Sequence, residues 1–467
     1  MLALLPGALS FLRDWRRWFF FGAPAVRTPP FQERRARAVV TTIAGLGPTF
    51  VKLAQVIASR SDLIPEPYLG QLGTLHDQVP PVPYDDISRV ITNAYGCGSS
   101  VDTLFERFDR DPVAAASLGQ VHRARYKGRD VAVKVLRPGI ERVVEADLIA
   151  ARRILGWMAH FWRNTHVLGL ITVVDEFRAR IGEEMDFRLE AEFATEIKRN
   201  FLANRDVIVP GVVSEMTRQH VLVLDFIVGT RIDRLDQGRV NVARVVATLV
   251  EIYVQMMLVD GLFHADPHPG NLMLAPDGRL VLLDFGMVVR VPTETRRTLT
   301  RTVLAAIRKD ADAVGVGFRA LNLVVPGTDD GTVRRLAELL LVNAFSRTTA
   351  KERIDSLLAD RVMKTLYDFP IVLPSELVYF ARAAALIEGV GTRYDPYFQA
   401  IPIASPVVMR MRTKILRSAG EDARPSVEEV ATVAGYALGK FARWVADRTP
   451  SPSTARRESP RGAGTPA

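Results

Sequence analysis

The chain has 467 residues, a hydrophobic share of 48% and a formal net charge of +9. This length suits two lobes with extensions, and the hydrophobic share excludes wholesale disorder. The single cysteine, Cys97, excludes an internal disulfide framework and fits a reducing compartment. The positive charge indicates an anionic partner, which could be a nucleotide, an anionic lipid surface or a nucleic acid. The sequence contains no uncharged apolar run of roughly 18 residues and no signal-peptide pattern, so we expect neither a transmembrane helix nor a cleaved leader.

Residues 1–30 are predicted to form a basic amphipathic segment. Aromatic side chains at helical spacing are interleaved with arginines, the residues being Phe11, Trp15, Trp18 and Phe19 with Arg13, Arg16 and Arg17. Such a helix lies at a membrane interface, or it docks on the protein's own core. The adjacent cluster Phe19–Phe21 favours contact with a membrane surface, because exposed phenylalanines are unfavourable in water.

The rest of the chain is predicted to alternate between helical and stranded regions. Helical periodicity with proline-rich breaks precedes short strands at 113–135, and helical periodicity returns at 141–200. A buried-type strand at Val221–Leu224 ends near a hinge at Gly229, and the later chain is mostly helical. We place the domain boundaries at 1–30, 31–112, 113–230, 231–415 and 416–467, the last range holding a C-terminal helix and a disordered tail.

The segment around Asp266 carries the strongest chemical pattern. Asp266, then Asn271 five residues later, then a D-F-G that begins at Asp284 follow the order of a kinase-type active site. Phosphoryl transfer needs one carboxylate to orient the attacking hydroxyl or water. It also needs an asparagine and a second carboxylate to hold Mg²⁺ against nucleotide phosphates. The pattern therefore predicts a site for ATP and Mg²⁺.

Two segments upstream fit the same chemistry. Lys134 lies in V-A-V-K on a predicted strand, from which a kinase lysine reaches the α- and β-phosphates. The loop before it is expected to line the nucleotide site, and it consists of Ala114, Ala115, Ala116 and Ser117. Alanines stand where a kinase has its first two glycines, and because a Cβ restricts φ, this backbone closes less tightly over phosphates.

These segments together resemble the UbiB/AarF family of atypical protein-kinase-like proteins. The resemblance is carried by A-A-A-S-x-G-Q-V-H-R-A, V-A-V-K, H-A-D-P-H-P-G-N and D-F-G, in one order over roughly residues 40–410. K-L-A-Q from Lys52 resembles the family's K-x-G-Q signature, and E-M-D from Glu184 resembles its E-x-D signature. The resemblance implies an α+β, bilobed protein-kinase-like fold with a helical N-terminal extension and a mostly helical C-terminal lobe.

The resemblance also implies roles for the residues of the kinase-like pattern. Lys134 would pair with Glu190, the αC-type glutamate, and contact the phosphates. Asp266 would take the catalytic-aspartate position. Asn271 and Asp284 would ligate Mg²⁺.

A further set of roles concerns the N-terminal extension. Lys52 and Gln55 would fold over the cleft and take part in catalysis, meeting Glu184 and Asp186, which we count among the cofactor-binding residues. In the family this extension occupies the place of a peptide substrate, which argues against ordinary protein kinase activity. Ala54 departs from the family's usual glycine, and in a helix an alanine there would be stabilising.

Two histidines and one long spacing between functional residues also bear on the structure. His264 and His268 are spaced as a metal pair, but Pro267 and Pro269 exclude the helix that such a zinc site needs, so His264 is expected to be a packed structural histidine. The long separation between Lys134 and Glu190 predicts a helical insert at about 140–180 that packs against the small lobe.

The predicted function is an atypical kinase or ATPase that binds MgATP and supports isoprenoid-quinone (ubiquinone-type) biosynthesis. The expected location is the cytoplasm, peripheral to the inner face of the cell membrane. The expected partners are a lipid-like or quinone-precursor substrate, an anionic membrane surface and quinone-biosynthesis proteins. Nucleic acid is not expected, because the basic residues are dispersed. Two alternatives stay open: a conventional kinase acting on proteins or on small molecules such as aminoglycosides, and a non-catalytic, nucleotide-gated scaffold that organises or extracts lipids.

Overall fold

The computed structural model describes a large part of the chain, as ten ranges: 29–57, 67–72, 80–96, 98–161, 165–235, 241–266, 269–345, 375–394, 398 and 400–420. The predicted amphipathic segment up to residue 28 and the predicted tail from 421 lie outside these ranges. Within them, no helix combines the length and the apolar character that crossing a membrane requires.

The N-terminal extension consists of short helices. They are α1 (Pro29–Leu46), α2 (Pro48–Ile57), α3 (Tyr68–Leu72), α4 (Tyr84–Tyr95) and α5 (Val101–Leu104). Gly47 separates α1 from α2 with a φ of +111°, a conformation that favours glycine, and Pro48 opens α2, where its missing N–H is not needed. Ala54 is helical and buried against Val51 and Leu72, so the alanine suits a close helix contact.

The small lobe is built on a five-stranded antiparallel sheet. Its strands are β1 (Arg107–Phe108), β2 (Ala114–Ala115), β3 (Gly119–Tyr126), β4 (Arg129–Leu136) and β6 (Val221–Asp225). In β4, Val131, Val133 and Val135 are fully buried in a cluster that includes residues of α4. Because side chains alternate along a strand, Lys134 points to the opposite face, towards the cleft.

Three helices separate β4 from β6, as the predicted helical insert requires. They are α6 (Ile140–Phe161), α7 (Thr165–Glu184) and α8 (Phe187–Asn200). Helices α6 and α7 form a hairpin whose buried side chains join those of β4 and β6 in one cluster. Helix α8 links the lobes, because Phe187 and Ala191 lie in this small-lobe cluster while Ala194 and Ile197 lie in the core of the large lobe.

The large lobe is mostly helical. In the part of this lobe that the structure describes, the helices are α9 (Val242–Val254), α10 (Thr293–Ile307), α11 (Ala311–Ala320), α12 (Asp330–Phe345), α13 (Ser375–Tyr394) and α14 (Ala400–Ser418). Its short strands are β5 (Val207–Ile208), β7 (Thr230–Arg231), β8 (Leu262–His264), β9 (Leu272–Leu274), β10 (Leu280–Leu282) and β11 (Val288–Arg290). Helix α9 continues as a π-helical turn, Gln255–Asp260, which ends at Gly261 with a φ of +67°. Helix α14 runs past the boundary predicted at residue 415.

Two small sheets place the chemical residues at the edge of this lobe. One has the strand order β5-β10-β9-β7, and the other pairs β8 with β11. The Asp266 segment leaves β8, and the D-F-G segment runs between β10 and β11. The two-lobed α+β architecture with a helical extension therefore matches the prediction, and the cleft lies where the two lobes meet.

Candidate active site

Lys134 lies between two carboxylates in the cleft. Its Nζ donates to both carboxylate oxygens of Glu190, at 2.8 and 2.9 Å, and to Oδ1 of Asp284, at 3.1 Å. The ammonium also sits over the ring of Phe187, 5.2 Å from its centroid. The predicted Lys134–Glu190 pair is therefore present in the structure, and Asp284 joins it.

Glu190 lies in the first turn of α8. The buried residues of this helix recur at helical spacing, and the Glu190 side chain is only 3% exposed. Burial raises the pKa of Glu190 to about 7, although the charge of Lys134 opposes the change. For Lys134, burial alone would lower the pKa, but Asp284 and Glu190 together raise it above its ordinary value, so the ammonium stays charged.

Asp284 is held in an unusual backbone conformation. Its φ is +58°, which is uncommon for a residue with a side chain. Its Oδ1 accepts the backbone N–H of Gly286 at 3.2 Å as well as the Lys134 ammonium. Burial alone would raise the pKa of Asp284, but the charges of Lys134 and Lys52 hold it well below its usual range. The carboxylate is therefore ionised at any physiological pH.

His264 stabilises the backbone around Asp284. Its Nε2 donates to the carbonyl oxygens of Leu283 at 3.1 Å and Asp284 at 2.6 Å, and its ring meets that of Phe285 edge to face. Two carbonyl acceptors require the Nε2–H tautomer. The ring is 1% exposed. This is the environment expected of a packed structural histidine, whereas His268 lies outside the described residues.

Asp266 and Asn271 lie on one turn. Asn271 ends a short 3₁₀ helix, and its Nδ2 donates to the backbone oxygen of Asp266 at 3.2 Å and to its Oδ2 at 3.3 Å. The backbone oxygen of Asn271 in turn accepts the N–H of Leu283 at 2.9 Å, next to the D-F-G segment. Hydrogen bonds thus connect Asp266 to Asn271, and Asn271 to the residue that precedes Asp284.

The donor set fits a magnesium ion. Mg²⁺ takes hard oxygen ligands, usually one or two carboxylates together with phosphate oxygens and water. Asp284 provides an ionised carboxylate that is 42% exposed, and the side-chain oxygen of Asn271 would be the second protein ligand. Gly286 keeps this space open, since a Cβ there would lie 3.2 Å from Oδ1 of Asp284 and 3.7 Å from Glu184 and Glu190.

A second ion pair brings the N-terminal extension to the cleft. Lys52 of α2 lies 2.6 Å from Glu184, the last residue of α7, and both side chains are largely buried. Burial raises the pKa of Glu184, and the charge of Lys52 opposes that rise. Because Lys52 also lowers the pKa of Asp284, its charge acts within the site itself. The side chain of Gln55 lies outside the described residues.

Asp186 has a different position from the one expected. It is the N-cap of α8, where its carboxylate accepts the backbone N–H of Arg188 at 3.1 Å. Both carboxylate oxygens also bind the Arg188 guanidinium, at 2.9 and 2.6 Å. A helix N-terminus attracts a carboxylate, so this residue positions Glu190 through the helix that it caps. The structure thus joins Lys52 to Glu184, but it turns Asp186 towards Arg188.

The alanine loop is a closed hairpin. Ala114 and Ala115 form β2 and pair with Val121 and Gln120 of β3, and the N–H of Ala116 donates to the oxygen of Gly119 at 2.8 Å. Ser117 follows in the turn, and it is buried. This hairpin lies at the start of the strand pair that carries Lys134, as a phosphate-covering loop must.

Two side chains connect this hairpin to the extension, a role that the sequence pattern did not predict: Arg137, which is half-buried, and Gln120, which is fully buried. Arg137 donates to the oxygen of Ala116 at 2.9 Å and to that of Pro80 at 3.0 Å. Gln120 is fully buried, and it accepts the N–H of Val82 at 2.8 Å and donates to its oxygen at 3.3 Å. The amide of Gln120 also donates to Nε2 of His122, 2.8 Å away. The sequence carries no signal that singles out these two residues, because β3 and β4 hold several other polar side chains and Arg137 follows the end of β4.

Comparisons with known proteins agree with this geometry. The family model described as "ABC1 atypical kinase-like domain" matches residues 74–316, which is more than half of the chain. A relative from Arabidopsis thaliana, Protein ACTIVITY OF BC1 COMPLEX KINASE 3, chloroplastic, is 31% identical over 80% of this chain and 53% of its own length. An uncharacterized protein of Synechocystis sp. is 30% identical over 86% of this chain and 69% of its own. The chain thus spans about half the length of the first relative.

A solved structure shows the same fold. It is titled as the complex of Rv3197 with erythromycin from Mycobacterium tuberculosis, and it matches with a TM-score of 0.59 and 25% sequence identity. The match covers 81% of this chain and 97% of that one. The bilobed kinase-like fold predicted from the sequence is thereby confirmed. The chain belongs to the ABC1 family of atypical kinase-like proteins, the UbiB/AarF-type family that its motifs resemble.

Proposed function

We propose that this chain binds MgATP in the cleft around Lys134 and transfers or hydrolyses its terminal phosphoryl group. The observation that carries the proposal is the Lys134 ammonium held between Glu190 and Asp284, at 2.8 and 3.1 Å. A lysine held by two carboxylates is preorganised to meet the α- and β-phosphates without a change in its own charge. Its burial also makes that charge more effective.

The metal-binding and proton-accepting roles belong to Asp284, Asn271 and Asp266. Asp284 and Asn271 would hold Mg²⁺, which neutralises phosphate charge when bound. Asp266 would orient the attacking hydroxyl or water and take its proton as the new P–O bond forms and the bond to the leaving phosphate breaks. The Asn271 amide bonds to the Asp266 carboxylate and so restrains it for that role.

The covered cleft favours a substrate other than a folded protein. Lys52 and Glu184 form their ion pair next to Asp284, and the alanine loop is already closed by its own hydrogen bonds. Little room is then left for an extended peptide. We therefore propose ATP hydrolysis, or phosphorylation of a small or lipid-like molecule, as the reaction.

The wider role is inferred from the family resemblance and the charge of the chain. We propose that the protein supports isoprenoid-quinone biosynthesis with a quinone-precursor or other lipid-like substrate. The net charge of +9 favours attachment to the anionic cytoplasmic face of a membrane, where quinone-biosynthesis proteins could join it.

The decisive experiment measures phosphate release from MgATP by the full chain. It compares buffer, neutral liposomes and anionic liposomes, each with and without a quinone-precursor mimic. Stimulation of turnover by anionic liposomes and the mimic supports the proposal. Phosphate transfer to an added protein instead would favour the conventional kinase, and nucleotide binding without any turnover would favour the nucleotide-gated scaffold.

A second candidate comes from the solved relative bound to erythromycin, a bulky molecule with polar and apolar parts. It favours a small-molecule ligand or substrate of that type for this chain as well. The candidate is tested by adding erythromycin to the MgATP assay and to a thermal melt. A saturable rise in melting temperature, with phosphate appearing on the macrolide, would establish a small-molecule kinase, whereas neither change would remove this candidate.

A further inference from the structure

The α6–α7 hairpin has two unequal halves. The half near the small lobe is packed into the lobe's cluster, to which α6 contributes Ile140, Val144 and Leu148 and α7 contributes Val173, Val174, Phe177 and Ile181. Beyond Leu148, α6 continues to Phe161, which at 1.5 Å per residue extends the helix by roughly 20 Å. We call residues 149–161 and 165–172 the hairpin tip.

The hairpin tip exposes large apolar side chains on both helices. Trp157 on α6 is 61% exposed, and Leu168 on α7 is 52% exposed. Between and beside them lie half-buried apolar residues, namely Ile154, Met158, Leu170 and Ile171, whereas Leu155 packs against the small-lobe cluster. The tip therefore presents an apolar surface that includes an exposed tryptophan. The hairpin does not need this surface for its own stability, because the other half of the hairpin is packed against the small lobe.

The charges of this stretch all have one sign. Between Asp147 and Asp175 the sequence has no aspartate or glutamate, but it has Arg152, Arg153 and Arg163 together with His160 and His166. Arg152 is neutralised at the base of the tip, where its Nε lies 2.9 Å from Asp175. Arg153 is exposed on the same helix. Tryptophan and leucine flanked by arginines, without acidic residues, form the composition of a segment at a membrane–water interface.

We propose that the hairpin tip is a membrane-contact surface, separate from residues 1–28, that places Trp157 and Leu168 at the boundary between headgroups and acyl chains of an anionic bilayer. This inference rests on the membrane-surface part of the proposed function and not on its chemistry. The exposed Arg153 complements a phosphate headgroup, which is why an anionic lipid surface suits the tip better than an apolar protein groove. Because α7 ends at Glu184, the tip and the active site are two ends of one helix.

The test is co-sedimentation of the full chain with vesicles of neutral phosphatidylcholine or of phosphatidylcholine with phosphatidylglycerol. The variant Trp157→Gln/Leu168→Gln should bind the anionic vesicles about tenfold more weakly, because two apolar side chains lose their burial in lipid. The control variant Leu202→Gln/Val342→Asn removes two apolar side chains that are even more exposed but lie away from the hairpin. It should bind like the parent. Arg153→Gln should weaken binding to anionic vesicles only.

Each unfavourable outcome has a distinct meaning. Equal vesicle binding by the parent and the Trp157→Gln/Leu168→Gln variant overturns the hairpin-tip proposal, and a change in oligomeric state would identify a self-association surface instead. Failure of the parent to bind either vesicle overturns both this inference and the proposed membrane location. Thermal stabilisation by MgATP, measured on the same samples, reports separately on the nucleotide proposal and should be unchanged in all these variants.

Discussion

At the scale of single residues, the charge balance around Lys134 explains how two carboxylates lie close together in the cleft. One ammonium satisfies both oxygens of Glu190 and one oxygen of Asp284. Removing Lys134 leaves the buried Glu190 and the half-buried Asp284 without their shared cation, which is far less favourable than losing an exposed ion pair. The arrangement therefore places the lysine for phosphates and also stabilises the cleft.

Replacement of Asp284 by asparagine should abolish magnesium-dependent nucleotide binding. The amide is neutral, so it attracts neither the metal nor Lys134 as the carboxylate does. A ligand at about 100 times its Kd stabilises a folded protein by about 2.7 kcal/mol, and we expect most of this gain with MgATP to disappear in Asp284→Asn. Thermal melts with and without MgATP measure it. Asp277→Asn, in the exposed turn between β9 and β10, is the matched control, and a full MgATP shift in Asp284→Asn would contradict the assignment.

Glu190 should give the protein a measurable pH dependence. Its pKa is about 7 in the folded state and 4.5 ordinarily, so the folded state binds an extra proton between these values. The free energy of unfolding should therefore fall as the pH rises from about 4.5 to about 7. Above about pH 7 the titration of Glu190 should cause no further decrease.

Denaturant unfolding of the parent and of Glu190→Gln at several pH values within this window tests the expectation. The glutamine variant should show a flatter profile, because its side chain does not titrate. Glu192→Gln, an exposed position on the same helix, should retain the slope of the parent. Identical slopes in the parent and Glu190→Gln would mean that Glu190 is ionised throughout.

At the scale of elements, the extension is joined to the small lobe by the side chain of Gln120. Its amide forms the pair of hydrogen bonds that a neighbouring strand would otherwise form. Gln120 binds both the N–H and the oxygen of Val82, so the segment before α4 is held to β3 without being a strand. Arg137 adds a contact from Pro80 to the alanine loop. Movement of the extension and closure of the loop are thereby physically connected.

Gln120→Ala should be clearly destabilising. It leaves the N–H of Val82 and Nε2 of His122 without a hydrogen-bond partner in a buried setting, and each such group costs about 1–3 kcal/mol. Urea unfolding of the variant measures the loss, and Gln219→Ala, at an exposed position, is the control and should change little. A loss no larger than that of the control would show that water replaces the amide.

At the scale of the whole molecule, helix α8 and the Lys52–Glu184 pair join the three parts. Helix α8 contributes its first half to the small-lobe cluster and its second half to the core of the large lobe. The ion pair connects the extension to the end of the α6–α7 hairpin, beside the active site. The extension therefore acts as a cover that is held by this ion pair together with the packing of Leu53 in the small-lobe cluster and the hydrogen bonds from Gln120 and Arg137.

A double-mutant cycle on this pair tests the cover. Lys52→Met alone leaves the Glu184 carboxylate largely buried without its partner, which should destabilise the fold by about 3–5 kcal/mol. Adding Glu184→Met should recover much of that loss, giving a coupling of about 1–3 kcal/mol. Unfolding free energies of the parent, the two single variants and the double variant supply the cycle. Purely additive effects would show that the two side chains do not interact in solution.

The sequence alone determined most of the fold and the order of the chemical residues. Local patterns are enough for this, because strand alternation around Lys134, helical periodicity after it and the spacing from Asp266 to Asp284 are properties of short segments. The family resemblance added the pairing of Lys134 with Glu190, which the structure contains. It also added the pairing of Lys52 with Glu184, which is present as well.

Only the tertiary structure decided which neighbour each charge faces. Asp186 resembled a cofactor ligand in the sequence, but the start of α8 turns it into a helix cap bound to Arg188. The hydrogen bonds of Gln120 and Arg137 exist only because the folded chain brings Pro80 and Val82 beside them. The physical reason is that hydrogen bonds and ion pairs act over a few ångströms between residues distant in sequence, so they exist only once the chain has folded.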